Sequence, residues 1–256
     1  MSKANTLSLS RVQTLFNAEV QNLGGTMRDT FADGTRLFAR AVLPLYRDVR
    51  RNDTMQCGIA LRAREDVICV HPYLFRLVCA NGAITAHAVQ SRRIENFGAL
   101  PVAEAETTLL AALRECGSKE AFVGGMDAVR SALDIEADAV LTLMPFLSQM
   151  PAAAQGRLLM DMLDNLHAER DMSGFGLMNA ITATARDTDD PDLRWNLEEF
   201  GGGIPALLLS QPALRRGAAA SLAGARQALH EETCPEWREA GRSPERMDEC
   251  WLTSVA

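Results

Sequence analysis

The sequence predicts an α+β protein, with an antiparallel N-terminal sheet followed by a mainly helical C-terminal half. Three observations carry this. Between residues 25 and 90, apolar and polar side chains alternate in runs separated by turn signals, as half-buried strands require. After Pro101, alanine and leucine dominate and the apolar period becomes helical. Charge changes sign at the same place: residues 1–100 hold 13 Lys+Arg against 8 Asp+Glu, and residues 101–256 hold 13 against 25. The expected organisation is a basic β-rich domain with an N-terminal helix over 1–100 and an acidic helical domain over 101–256.

Each element has a local reason. Leu7, Val12, Leu15, Phe16 and Val20 fall near helical spacing, and Gly24-Gly25 ends that helix. Ala32-Asp33-Gly34 reads as a hairpin turn. Beyond it, Arg36, Phe38, Arg40 and Val42 share one strand face, and Leu37, Ala39, Ala41 and Leu43 the other. Pro44 suits a strand end or edge. In the next run Ile59, Leu61 and Ala63 oppose Ala60, Arg62 and Arg64, and Glu65-Asp66 turns the chain. His71-Pro72 is expected to interrupt the following strand, Asn81-Gly82 to turn it, and residues 83–89 to form the last one. Helices are expected near 103–115, 119–132, 136–148, 153–168, 172–187, 191–199 and 213–231. Asp171-Met172-Ser173 offers a cap for the fifth of these, and Asp190-Pro191 a start for the sixth. Gly201-Gly202-Gly203 reads as a flexible break.

Composition narrows the function. No run of about 18 apolar residues exists, so no membrane partner is expected. The N-terminus MSKANTLSLSRV has no apolar core of a signal peptide, and a cytoplasmic location follows as the expectation. The six cysteines then read as reduced thiols. The chain shows neither G-x-x-x-x-G-K-[ST] nor a G-x-S-x-G elbow, and no cofactor is expected. Cys57, Cys69, His71 and Cys79 lack the close-pair spacing of structural zinc, so no metal is expected either. Asp187, Asp189, Asp190 and Asp192 are the one carboxylate group that could serve a metal-dependent nuclease. A polar loop with a helix cap explains the same residues.

Arginine supplies 24 of the 26 basic residues. Its planar fork suits phosphate, although generic surface charge accounts for the bias as well. Arg36, Arg40, Arg62, Arg64, Arg76, Arg92 and Arg93 are the candidate phosphate contacts, with Phe38 as a stacking face for a base; a solvated face with salt bridges to the acidic helical half explains the same residues.

One stretch carries a family likeness. FRLVCANGAI, Phe75 to Ile84, contains Arg76, Val78, Cys79, Asn81 and Gly82 in an R-x-V-C-x-N-G order. Downstream, Asn179-Ala180, Arg194-Trp195 and Gly202-Gly203 follow. Together these resemble a phage- and plasmid-borne family of unknown function, over about residues 25–205. Where that family often carries N-S-[EH], this chain has ALRARED. The resemblance implies a mobile-element protein and assigns Cys79, Asn81, Gly82, Asn179, Arg194 and Trp195 as motif residues, but brings no activity. At the level of fold it is similar to single-strand annealing recombination proteins.

The leading expectation is therefore a non-catalytic protein that binds nucleic acid, single-stranded DNA first. The alternative is a module that contacts a host or element-encoded protein through its acidic half, with the nuclease third. Homo-oligomerisation is compatible with each.

Overall fold

The computed structural model describes residues 7–64 and 67–216. Helix α1 (Leu9–Asn22) leads into strands β1 (Thr26–Ala32), β2 (Arg36–Arg50), β3 (Asp53–Arg64), β4 (Val67–Arg76), β5 (Asn81–Ile84) and β6 (Arg92–Glu95). Helices α2 (Val102–Cys116), α3 (Lys119–Ser131), α4 (Ala139–Leu147), α5 (Ala152–Glu169), α6 (Gly174–Arg186) and α7 (Pro191–Ser210) follow. The α+β class is the expected one. The expected turn at Glu65-Asp66 and most of the expected helix over 213–231 lie outside the described residues.

The six strands form one antiparallel sheet in the order β1-β2-β3-β4-β5, with β6 also on β4. Its alternation is the one the sequence implies. Leu37, Ala39, Ala41, Ile59, Leu61 and Ala63 sit in the main core, on the outer face against α1, α2 and α3. Phe38, Val42 and Ala60 point the other way, into a second cluster with Tyr73, Phe75, Ile84 and Trp195. Arg28 of β1 lies over the Phe75 ring of β4, 4.3 Å from its centroid, so the sheet curls toward this inner face. The main core also takes side chains from the helical half, among them Phe175, Leu177, Ile181 and Leu208.

Two prolines are accommodated by what lies beside them. β1 starts at Thr26 opposite Val42, and the β2–β3 register shifts between Val42 and Tyr46, so Pro44 sits in a bulge just outside the β1 pairing. Strand β4 runs through His71-Pro72 without interruption, contrary to expectation. Thr85 donates its N–H to the Pro72 carbonyl at 3.0 Å. Amide and carbonyl of one strand residue point the same way, so the missing proline N–H falls toward the β5–β6 side. There β6 pairs only Val67–Val70 and β5 only Tyr73–Arg76, and no ladder bond is lost.

Three further expectations are corrected. Asn81-Gly82 is not the turn but the start of β5; the chain reverses over Leu77–Ala80, with Ala80 at φ 54°. Past Ile84 the chain leaves the sheet, and the last strand is Arg92–Glu95 rather than 83–89. Gly201-Gly202-Gly203 is buried helix, and α7 continues to Ser210. A Cβ on Gly202 would stand 2.1 Å from the Ile84 carbonyl oxygen. Glycine is needed there because the helix rides directly on the β5 backbone, not because the chain must bend. The expected caps are present: Ser173 accepts from the Gly176 N–H, and Asp190 from the Leu193 N–H with Pro191 in the first turn.

Candidate nucleic-acid interface

The register places the arginines. Antiparallel partners share a face. Arg36 lies opposite Arg64, and Phe38 opposite Arg62. Arg62 in turn faces Cys69, and Cys69 faces Arg93. Two neighbouring rows on the inner face thus read Arg36–Arg64–Val67 and Phe38–Arg62–Cys69–Arg93. Arg76 and Arg92 belong to the opposite face, since they alternate with Phe75 and Arg93. They are therefore not part of one surface with the others. Arg76 is buried, held by both oxygens of Asp53 at 2.7 and 2.8 Å and by Glu169 at 2.8 Å. Those carboxylates outweigh the cost of burial and keep its guanidinium firmly charged. Arg92 pairs with Glu115 of α2.

Helix α7 lies across part of the inner face and brings acid with it. Asp192 accepts from Arg36 and, at 3.1 Å, from Arg64. Glu198 holds Arg40, which is 3% exposed and also reaches Asp29 at 3.0 Å. Arg194 closes the ring, to Asp29 at 2.7 Å and to Glu198 at 3.2 Å. Trp195, fully buried, stands between these two groups. Its ring is 5.9 Å from both Phe38 and His71, and the Arg40 and Arg62 guanidiniums lie 5.6 and 5.1 Å from it. Its indole N–H donates to Glu199 at 2.8 Å.

Phe38 and Arg40 are thereby enclosed. Phe38 has no exposed surface, so its ring is covered by Trp195 instead of offering a platform to a base. What stays open is a recess of about 180 Å³ lined by Arg62, Arg64, Val67, Cys69 and Arg93. Arg62 has no carboxylate partner among the described residues, and Arg93 pairs with the exposed Glu95 at 2.8 Å. Arg93 also points a guanidinium nitrogen at the Cys69 sulfur, 3.7 Å away.

The motif residues meet although about 100 positions separate them. Asn81 donates to the Asn179 carbonyl at 3.2 Å and to the Thr182 hydroxyl at 2.7 Å. Gly82 leaves room for the Tyr73 ring, whose hydroxyl oxygen would be 1.8 Å from a Cβ at that position. The Cys79 thiol lies 3.8 Å from Glu169, and burial together with that carboxylate raises its pKa. Arg194 and Trp195 belong to the α7 network just described.

The four aspartates disperse. Asp187 pairs with Arg186, Asp190 caps α7, Asp192 serves the arginines, and Asp189 lines a groove of about 750 Å³ between α5, α6 and α7. Among the described residues no three His, Cys, Asp or Glu side chains gather closely enough to hold a metal ion. Cys57 and Cys69 lie on opposite faces of the sheet, and burial pushes the Cys57 thiol up to about 12.

His71 was the least legible member. It is 7% exposed under Trp195, its Nδ1 has no protein partner, and burial pushes its pKa down to about 4. An unfolded chain holds histidine near 6.5, so between these values the unfolded state binds the extra proton. Stability supplied by neutral His71 is complete above about pH 6.5 and is lost as pH falls toward 4. The expected loss over that window is roughly 2–4 kcal/mol. Urea midpoints measured from pH 7 to 4 check it, and a His71→Asn profile as steep as the parent's would refute it.

Salt bridges from the acidic helical half are an expectation of the sequence, but the individual counter-ions are not named by it, although a signal exists. Asp192, Trp195, Glu198 and Gly202 recur at spacings of three and four, marking one face of α7 that packs on another element and brings two carboxylates to it. No helix among the described residues is long and apolar enough to cross a membrane. No family model, curated protein or solved structure matches the chain, so the reading of this interface rests on the arrangement of its side chains.

Proposed function

We propose that the protein binds the sugar-phosphate backbone of a single-stranded nucleic acid, without catalysis, through Arg62, Arg64 and Arg93. The supporting observation is the recess that these three arginines line together with Val67 and Cys69. Guanidinium forks suit phosphate oxygens, and three arginines around one recess favour an anion there in a chain whose net charge is -7. A single strand can bend one phosphate into a recess of this size, whereas a duplex presents its phosphates on a stiff cylinder.

Few contacts mean a shallow salt dependence. One phosphate in the recess and at most two neighbours neutralised on a single strand give a slope of log K against log salt between about −0.7 and about −2. Anisotropy of a labelled oligothymidine titrated between about 20 and 200 mM salt measures it. Binding that is absent at the lowest salt, or unchanged across the range, would end this reading. So would full retention of affinity by an Arg62→Ala/Arg93→Ala double variant that is still folded.

A further inference from the structure

Arg36 and Arg64 stand directly opposite one another on β2 and β3, an arrangement in which like charges repel. One carboxylate resolves it. Asp192, in the first turn of α7, gives one oxygen to each guanidinium. The two arginines differ in what else they hold. Arg36 is also gripped by Asp33 of its own hairpin, through two nitrogens at 2.8 and 2.5 Å. Arg64 is half exposed and has Asp192 as its sole acidic partner among the described residues. It also lines the recess with Arg62 and Arg93.

From this we infer that Asp192 is an internal competitor: its carboxylate occupies the Arg64 guanidinium that an incoming phosphate would engage. Arg64 has two uses, one on Asp192 and one in the recess, and a bound phosphate draws it to the second. The inference rests on the proposed binding function and concerns the regulation of that same site. The helix start does not depend on Asp192, because Asp190 caps it. Exposed ion pairs are weak, so the competition is modest and sensitive to salt.

The test is oligothymidine binding by the full chain and by Asp192→Asn, which keeps shape and removes charge. The expected result is binding about two- to fivefold tighter at low salt, with the difference fading as salt rises. The gain should vanish in an Arg64→Ala background, and Asp192→Glu should restore the parent affinity. Urea midpoints of each variant show whether it is folded; if Asp192→Asn is not, Asp192→Ser takes its place. Binding by the parent with equal or weaker binding by folded Asp192→Asn overturns the competitor and leaves the binding function standing. If neither binds at the lowest salt, the binding function itself fails and the competitor falls with it.

Discussion

Glu198→Ala will destabilise the protein by about 3–5 kcal/mol, the cost of breaking a buried ion pair from one side. Arg40 is 97% removed from solvent by its 3% exposure, and its Nη2 already lacks a partner. Without Glu198 it retains only Asp29, which is one-third exposed and shared with Arg194. A buried guanidinium cannot shed its proton, so the fold must carry the charge or admit water to it. Urea unfolding of parent and variant gives the difference. A loss under about 1 kcal/mol would show that the α7 network does not hold the inner face closed. Replacing both partners, Arg40→Met with Glu198→Leu, should cost far less than Glu198→Ala alone, because no charge is then stranded. Total stabilities of domains are about 5–15 kcal/mol, so the single variant leaves little margin.

Trp195→Ala should cost a similar amount, about 3–5 kcal/mol, for a different reason. No part of the ring is exposed, and it fills the space between Phe38, His71 and the guanidiniums of Arg40 and Arg62. Truncation leaves a cavity bordered by two cations and strips Glu199 of its indole donor. The neighbouring backbone has little freedom to collapse inward, since α7 already rests on β5 at Gly202. Denaturant titration measures the loss. A value near that of an exposed substitution, within about 0.5 kcal/mol, would mean the ring is not the filler its burial implies. Trp195→Phe keeps most of the volume and should recover more than half of the deficit.

These two positions also mark where reading the sequence stopped. Period-two alternation was enough to sort Arg36, Phe38, Arg40 and Val42 from Leu37, Ala39, Ala41 and Leu43, because a strand has only two faces. It could not say which face would be covered, or by what. Phe38 between two arginines looked like an exposed ring flanked by cations; the same pattern fits a ring sealed under a tryptophan with its neighbours neutralised. The difference is made by Asp29, Asp192 and Glu198, and two of those three arrive from more than 150 positions away. Arg76 and Arg92 were grouped with the others by composition, which ignores parity. Asn81-Gly82 has the residues of a turn, but Asn81 is taken up by Asn179 and Thr182, and Ala80 adopts the left-handed conformation in its place. Long-range hydrogen bonding overrode local preference there. Caps fared better, at Ser173 and Asp190, because a cap is settled within four residues.

The lid over the inner face is encoded late. Strand β5 is complete at Ile84, while the helices that rest on it, α6 and α7, end only at Arg186 and Ser210. At ribosomal speeds of about 5–20 residues per second, about 5–25 seconds of synthesis separate the strand from the two helices. During that interval a nascent chain carries Phe38, Tyr73 and Phe75 without their Trp195 cover, and Arg40 without its carboxylate. The vulnerable species is thus the partly translated polypeptide, and slow codons or stalls between the strands and α7 are where chaperone engagement and aggregation would concentrate.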